Sequence, residues 1–287
     1  MILITGASGN VGREVLKQVA ATGARVRAAF QSVSKTQTAP SGVEVVTMDY
    51  RDPKTFAVLE DVDRVFLVGP PTADLPSLER SAVNAIKNSG VRHIVKLSAM
   101  GGREAIFPRQ HAESEDYIKS SGVPYTFLRP NGFMQNFVLY NSPTINTQNT
   151  FYGVQGDGKV SHIDIRDIAA VAVKALTEDG HEGKAYTLTG REALSNARCA
   201  EILSEEIGRE IRYVDLPVDQ YKQALLAAGV SEWSANALIE LQQFYAWGGA
   251  SAVTRDVEQL LGRKPIGFEQ FSRDYVDAFR SEQRAAS

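Results

Sequence analysis

The first twelve residues, M-I-L-I-T-G-A-S-G-N-V-G, leave the chain few options. An apolar run ends at Thr5, glycines stand at 6, 9 and 12, and Val11, Val15, Leu16 and Val19 then recur at helical spacing. The pattern reads strand, tight glycine turn, helix. Such a turn aims backbone N–H groups and a helix N-terminus at one point, and a phosphate is the group that point holds best. The spacing is G-x-x-G-x-x-G rather than the commoner G-x-G-x-x-G, but its place between a strand and a helix is the context the motif requires. The alternative is a glycine-rich turn that only closes a βα unit.

The rest of the first half repeats the unit. Strands are expected at Ala24–Phe30, Gly42–Thr47, Arg64–Val68, Val91–Leu97 and Pro124–Arg129, with helices from about Asp74 to Ser89 and Pro108 to Ser120. R-V-F-L-V, the fourth strand, is almost wholly apolar, as buried parallel strands are. Alternation of this kind predicts an α/β fold, a Rossmann-type doubly wound parallel sheet. The 287 residues then divide into an NAD(P)-binding domain over 1–140, which also receives strands and a helix from about 159–190, and a smaller, mostly helical C-terminal substrate domain over 191–287.

Ligands in such folds lie at the carboxyl ends of the strands. After the second strand an NAD site usually carries an acid for the ribose 2′-OH; here stand Gln31, Ser32 and, further on, Lys35. No carboxylate is there to repel a 2′-phosphate, which points to NADP(H) ahead of NAD(H), although Lys35 is equally well a solvated loop lysine. Asp49, after the third strand, either accepts from an adenine amino group or caps the helix that starts near Pro53. Gly69-Pro70-Pro71 forms a rigid loop after the fourth strand, and Ser98 stands at the same edge after the fifth, where a cofactor contact is expected.

A short-chain dehydrogenase carries Tyr-x-x-x-Lys on the helix after the fifth strand, the tyrosine passing a proton as hydride moves. Of the ten tyrosines only Tyr50 has a lysine four places on, Lys54, and Pro53 interrupts the pair after the wrong strand. The expected helix holds His111 and Glu115 at i, i+4 instead. His111 could donate to a substrate oxygen or to the nicotinamide ribose with Glu115 orienting it; the other reading is a surface His–Glu pair. Reduction of a ketone needs a strong proton donor. A quinone or other electron-poor conjugated acceptor needs less, because hydride addition yields a stabilised aromatic product and the cofactor carries the hard chemistry.

T-G-A-S-G-N-V-G, then V-G-P-P, H-A-E-S-E and V-P-Y-T-F-L-R-P-N-G-F-M-Q-N-F resemble the NmrA-like branch of the atypical short-chain dehydrogenases/reductases. The resemblance runs along the whole chain, is densest from 1 to 140, and is closest to the subgroup of bacterial NAD(P)H:quinone oxidoreductases and triphenylmethane-dye or azo reductases, which shares D-I-R-D-I-A-A-V-A, here Asp164 to Ala172. It implies a substrate cleft between the two domains. It implies that Gly6, Ala7, Ser8, Gly9, Asn10 and Val11 wrap the pyrophosphate, that Gly69 and Pro70 lie along the nicotinamide half, and that Asn131, Gly132 and Phe133 approach the nicotinamide and the acceptor. His111 and Asn131 are thus the candidate catalytic residues. Relatives often place an arginine where this chain has Gln31, and that arginine binds the 2′-phosphate. The same family contains redox sensors that bind NADP without turnover.

Asn141 to Gly158, polar and glycine-bearing, is expected to be a loop over the cleft, with Phe151 and Tyr152 near an acceptor and Phe137 in the core. A helix is expected from Asp164 to about Leu176, a strand at Tyr186–Thr189, then helices near 195–207, 218–229, 231–247 and 267–280 around a strand at Ile211–Leu216. Tyr213, Tyr221, Trp233, Phe244, Tyr245 and Trp247 form either an aromatic wall or a core or dimer face.

Composition closes off other classes. The net charge is −3 with no basic block, so nucleic acid is not an expected partner. Cys199 is the only cysteine, and His93, His111, His162 and His181 are scattered, so no metal site is expected. The first residues lack a basic segment followed by an apolar stretch and a cleavage site, and no apolar run nears the ~20 residues of a membrane span, so neither a leader nor a span is expected. The expectation is a cytoplasmic monomer or homodimer acting on a small aromatic or quinone substrate.

Overall fold

Side-chain alternation along the central strands organises the molecule. The computed structural model describes residues 1–32 and 39–280. The chain runs β1 (Ile2–Ile4), α1 (Asn10–Ala20), β2 (Val26–Phe30), β3 (Glu44–Thr47), β4 (Arg64–Leu67), α2 (Leu75–Lys87), β5 (His93–Leu97), α3 (Ile106–Ser121) and β6 (Tyr125–Pro130). It continues through α4 (Ser142–Gln148), β7 (Thr150–Gly153), β8 (Lys159–Val160), α5 (Ile165–Thr177), β9 (Lys184–Leu188), β10 (Leu194–Ser195), α6 (Asn196–Ile207), β11 (Arg212–Asp215), α7 (Val218–Ala227), α8 (Glu232–Ala246), α9 (Asp256–Leu261) and α10 (Phe268–Asp274).

Seven parallel strands pair in the order β3-β2-β1-β4-β5-β6-β9. On β1, Ile2 and Ile4 face one side and Leu3 the other; on β4, Phe66 opposes Val65 and Leu67; on β6, Leu128 opposes Phe127. The first face packs on α1 and α5, through Val15, Leu16 and Val19 against Ile168, Val171 and Ala172. The second packs on α2 and α3, through Leu78, Ala82, Val83, Ile86 and Ile118. Both faces are covered, so the strands are apolar on both sides, as parallel sheets require. This is the doubly wound Rossmann-type arrangement the alternation predicts. The winding reverses between β1 and β4, which opens a crevice at their carboxyl ends.

A third apolar cluster, built from Phe137, Ile145, Phe151, Leu203, Phe268 and Phe271, holds the later elements together. Two small sheets belong to this part of the chain: β10 antiparallel to β8, and β11 parallel to β7. Ser195 and Ser231 cap α6 and α8 by accepting from Arg198 N and Ser234 N.

The stretch from 141 to 158 corrects the expectation of a loop. One turn of wider π-type helix, Phe137–Asn141, runs into α4, and β7 follows. Pro143 suits the first helical turn, and Asn149 ends the helix in the left-handed region at φ 54°. Ile145 and Phe151 are buried in the third cluster, so Phe151 is core and does not face the cleft. Tyr152 donates to Gln148 Oε1. Phe137 is core, as expected. Among the described residues no helix is long and apolar enough to cross a membrane, and no cluster of three metal-ligating side chains occurs.

Candidate active site

Thr5 ends β1 and Gly6 turns the chain at φ +60°, a conformation that favours glycine. Gly9 N then donates to Gly6 O at 2.9 Å, and α1 starts at once from Asn10. A Cβ on Gly12 would stand 2.1 Å from Gly6 O, so the third glycine lets the helix begin against the turn. No side chain caps α1 among the described residues and its first turn carries no acid, so its N–H groups face the crevice without a competing carboxylate. Gly6, Gly9, Asn10, Val11 and Gly12 line that crevice, Ser8 faces its outer end, and Ala7 is buried, its N–H donated to Ala29 O. A helix N-terminus behind a turn with no room for side chains fits a dinucleotide diphosphate.

The crevice has two ends. At one, Gln31 is exposed and Asp49, Tyr50, Arg51, Gly69, Pro70 and Pro71 complete the lining. Asp49 Oδ1 accepts from Arg51 N at 2.9 Å, whereas Asp52 accepts from Lys54 N and caps the 3-10 turn Pro53–Leu59. The cap is therefore Asp52, not Asp49, because the turn begins at Pro53, six residues after β3 ends and directly after Asp52. Tyr50 forms the floor: its hydroxyl lies 2.9 Å from Thr5 Oγ1 and 3.1 Å from Val68 O, and burial pushes its pKa up. Arg51, which the sequence reading missed, puts a half-exposed guanidinium here, 2.8 Å from Asp74. A cation two residues past the strand-end acid was the available signal. Lys35 lies outside the described residues.

The other end is a cleft of about 1290 Å³ including its open mouth. Ser98, His111, Asn131, Gly132 and Phe133 all line it, and so do Met100, Phe107, Leu241 and Tyr245. Asn131 is only 6% exposed and its amide is fully engaged. Nδ2 donates to Ser161 Oγ at 2.7 Å and Ala250 O at 2.8 Å, and Oδ1 accepts from Gly132 N. In this arrangement it shapes the wall rather than presenting a free polar atom. Of the aromatic group, Tyr245 reaches the cleft and Trp233 packs edge-on against Phe107, while Trp247 is exposed and Tyr213 and Tyr221 bond elsewhere.

Glu115 does not orient His111. It is buried, accepts from Ser98 Oγ at 2.6 Å and from Arg129 Nε at 2.9 Å, and Arg129 on β6 draws it away from its i−4 neighbour. The surface-pair reading fails for the same reason. His111 meets Lys96 instead: Nζ lies 3.2 Å from Nδ1, and Glu79 Oε1 lies 2.7 Å from the same ammonium. Burial first, and Lys96 second, hold the His111 pKa well below the usual imidazole range, so the ring is neutral. Sequence reasoning missed both partners. The signals were a lysine inside the strand H-I-V-K-L and a glutamate on the apolar stripe Leu75, Leu78, Ala82, Val83 of α2.

Comparison with known proteins gives the family. The model of the NmrA-like family matches residues 1–272. The chain is 36% identical to an NAD(P)H azoreductase of Xenophilus azovorans, over 97% of this chain and 99% of that one. It is 38% identical to (4-alkanoyl-5-oxo-2,5-dihydrofuran-3-yl)methyl phosphate reductase of Streptomyces griseus, over 98% and 100%. Among solved structures, the NADPH complex of the NADPH-dependent quinone oxidoreductase QOR2 of Escherichia coli superposes with a TM-score of 0.87 at 27% identity, covering 96% and 99% of the two chains. The chain belongs to the NmrA-like family.

Proposed function

We propose that this NAD(P)H-dependent oxidoreductase passes hydride to an uncharged, flat, conjugated acceptor of the quinone or azo type. The observation that carries the reading is the lining of the larger cleft. Leu97, Met100, Phe107, Leu241 and Tyr245 supply an apolar wall beside the glycine turn, and no Asp, Glu, Lys or Arg side chain is among its described lining residues. A phosphate-bearing substrate, such as the name of the Streptomyces griseus relative specifies, would ask for a fixed cation there.

The nicotinamide cofactor, when bound, supplies the hydride. The turn at residues 6–12 and the start of α1 hold its diphosphate, and Gly69, Pro70 and Pro71 confine it from the β4 edge. Arg51 and Gln31 would meet the 2′-phosphate of NADP(H). Asn131 fixes Gly132 and the wall behind it. The apolar wall stacks the acceptor and excludes water. His111 donates a hydrogen bond to the acceptor atom on which charge arrives. A Tyr/Lys pair has no part in this reading; Tyr50, the one tyrosine with a lysine four places on, is buried under the adenosine end.

Stopped-flow oxidation of NADPH with a panel of quinones, azo dyes and phosphate esters of similar size tests the proposal. Turnover is expected with the uncharged conjugated acceptors. Turnover confined to the phosphate esters, or none with any acceptor, would overturn it.

A further inference from the structure

We infer that Lys96, clamped by Glu79, is a positioning residue that holds His111 as a neutral imidazole with its single proton on Nε2, set to donate to the acceptor. The donor role rests on the hydride-transfer reading above; the tautomer rests on geometry alone.

Lys96 is 0% exposed, in a strand whose neighbours Val95 and Leu97 are core. An ammonium has three N–H donors and no acceptor. Here each has one partner: Glu79 Oε1 at 2.7 Å, Leu97 O at 3.1 Å and His111 Nδ1 at 3.2 Å. The third contact can only be a donation into the ring, so Nδ1 carries the lone pair and the proton of a neutral ring sits on Nε2. A ring protonated on both nitrogens would set an N–H against the ammonium. A buried ion pair is weak support for stability by itself, since apolar residues of similar volume usually serve as well. Its geometry here serves a lining residue of the cleft.

Glu79 links this lock to the cofactor side. The oxygen that takes Lys96 also accepts from Gly69 N at 3.1 Å, and a Cβ on Gly69 would lie 2.8 Å from it. Its second oxygen is buried without a partner. Among the described residues no other charged or titratable group on the elements packed round His111 is hydrogen-bonded to its ring. On α3 and β6, Glu115 and Arg129 hold each other. Arg109 of α3 faces Glu240 of α8, Arg80 of α2 faces Glu113, and Tyr245 of α8 lines the cleft without a hydrogen bond to the ring. Among the described residues Lys96 alone contacts a ring nitrogen of His111, and so sets the tautomer. As charge arrives on the acceptor, Nε2–H donates to it while Lys96 donates to Nδ1, and no proton need leave the ring in that step.

The test uses the full-length, nitrogen-15-labelled protein, with the His111 ring assigned by His111→Asn. Long-range proton–nitrogen spectra are expected to show only the Nε2–H form in the wild type, unchanged from about pH 5.5 to 8, across the ordinary histidine range. Lys96→Met leaves Glu79 uncompensated and threatens folding, so the informative variant is Lys96→Met with Glu79→Gln, which removes both charges together. In it the ring should populate both tautomers and titrate. Its kcat should fall about tenfold and become pH-dependent, with KM and calorimetric NADPH affinity within about twofold, the signature of an interaction made in the transition state. An Nδ1–H form in the wild type, or identical ring spectra in the double variant, would overturn the inference. Absence of turnover by the wild type with any conjugated acceptor would overturn the donor role, and the ligand-free spectra would report on the lock separately.

Discussion

Gly12 has no room for a side chain: a Cβ there would stand 2.1 Å from the carbonyl oxygen of Gly6. The obstacle is backbone, and Gly6 is itself held at φ +60° against Val68. Gly12→Ala must therefore push the turn and the start of α1 apart. It should cost about 1–3 kcal/mol in urea unfolding, as overpacking does, and weaken NADPH binding more than tenfold by calorimetry. Undiminished binding would show that the N–H groups of this turn do not hold the diphosphate.

Arg51 offers a cation at the end of the crevice lined by the neutral Gln31, where the proposal puts the 2′-phosphate. Its guanidinium is half exposed and shared with Asp74, so one charge-assisted contact to a 2′-phosphate is worth about 1–2 kcal/mol. Arg51→Ala should weaken NADPH binding about tenfold and leave NADH within about twofold. Gln31→Arg should move the selectivity the other way. Equal losses for the two nucleotides in Arg51→Ala would remove the assignment.

Lys96 and Glu79 are buried together, so neutralising one leaves the other charged in the core. Glu79→Gln or Lys96→Met alone should cost about 3–5 kcal/mol, and the two together much less, because desolvation of both ions is relieved at once. A thermodynamic cycle from urea unfolding of the four proteins reads this directly. Additive losses would mean that the two side chains do not act as a pair.

What the sequence told, and what it hid, follows from how far each signal reaches along the chain. The strand–turn–helix at residues 1–20 is legible because apolar spacing and three glycines report it within one window. So is the helix that carries His111, found two residues earlier than expected, at Ile106. Asn141 to Gly158 reads as loop because N-S-P-T-I-N-T-Q-N-T is polar; one buried contact, Ile145, anchors α4, and β7 is held by pairing with β11 some 60 residues on. The partner of His111 was missed for a different reason. An i, i+4 glutamate is the nearest candidate on paper, but Glu115 answers to Arg129 on the next strand, and the true partner comes from β5. Phe107, Leu241 and Tyr245 meet only because α8 packs on α3, a relation no local pattern encodes.

His93 gives the fold an acid sensitivity that its hydrogen bonds explain. Thr126 Oγ1 donates to His181 O at 2.6 Å, so His93 Nε2 must be the donor in its 2.9 Å contact with that hydroxyl. His93 Nδ1 is then an unprotonated, buried nitrogen without a partner, and a second proton there would find no acceptor. Burial accordingly pushes the His93 pKa down to about 4 from 6.5. Between those values the unfolded chain binds a proton that the folded chain refuses, so stability falls as pH drops through that window and is level above about pH 7. The contribution of His93 amounts to about 2 kcal/mol between pH 7.5 and 5. Urea unfolding at several pH values should show that slope in the wild type and a shallower one in His93→Gln. An identical slope in the variant would place the acid sensitivity at other groups, His162 first, since burial pushes its pKa down to about 4 as well.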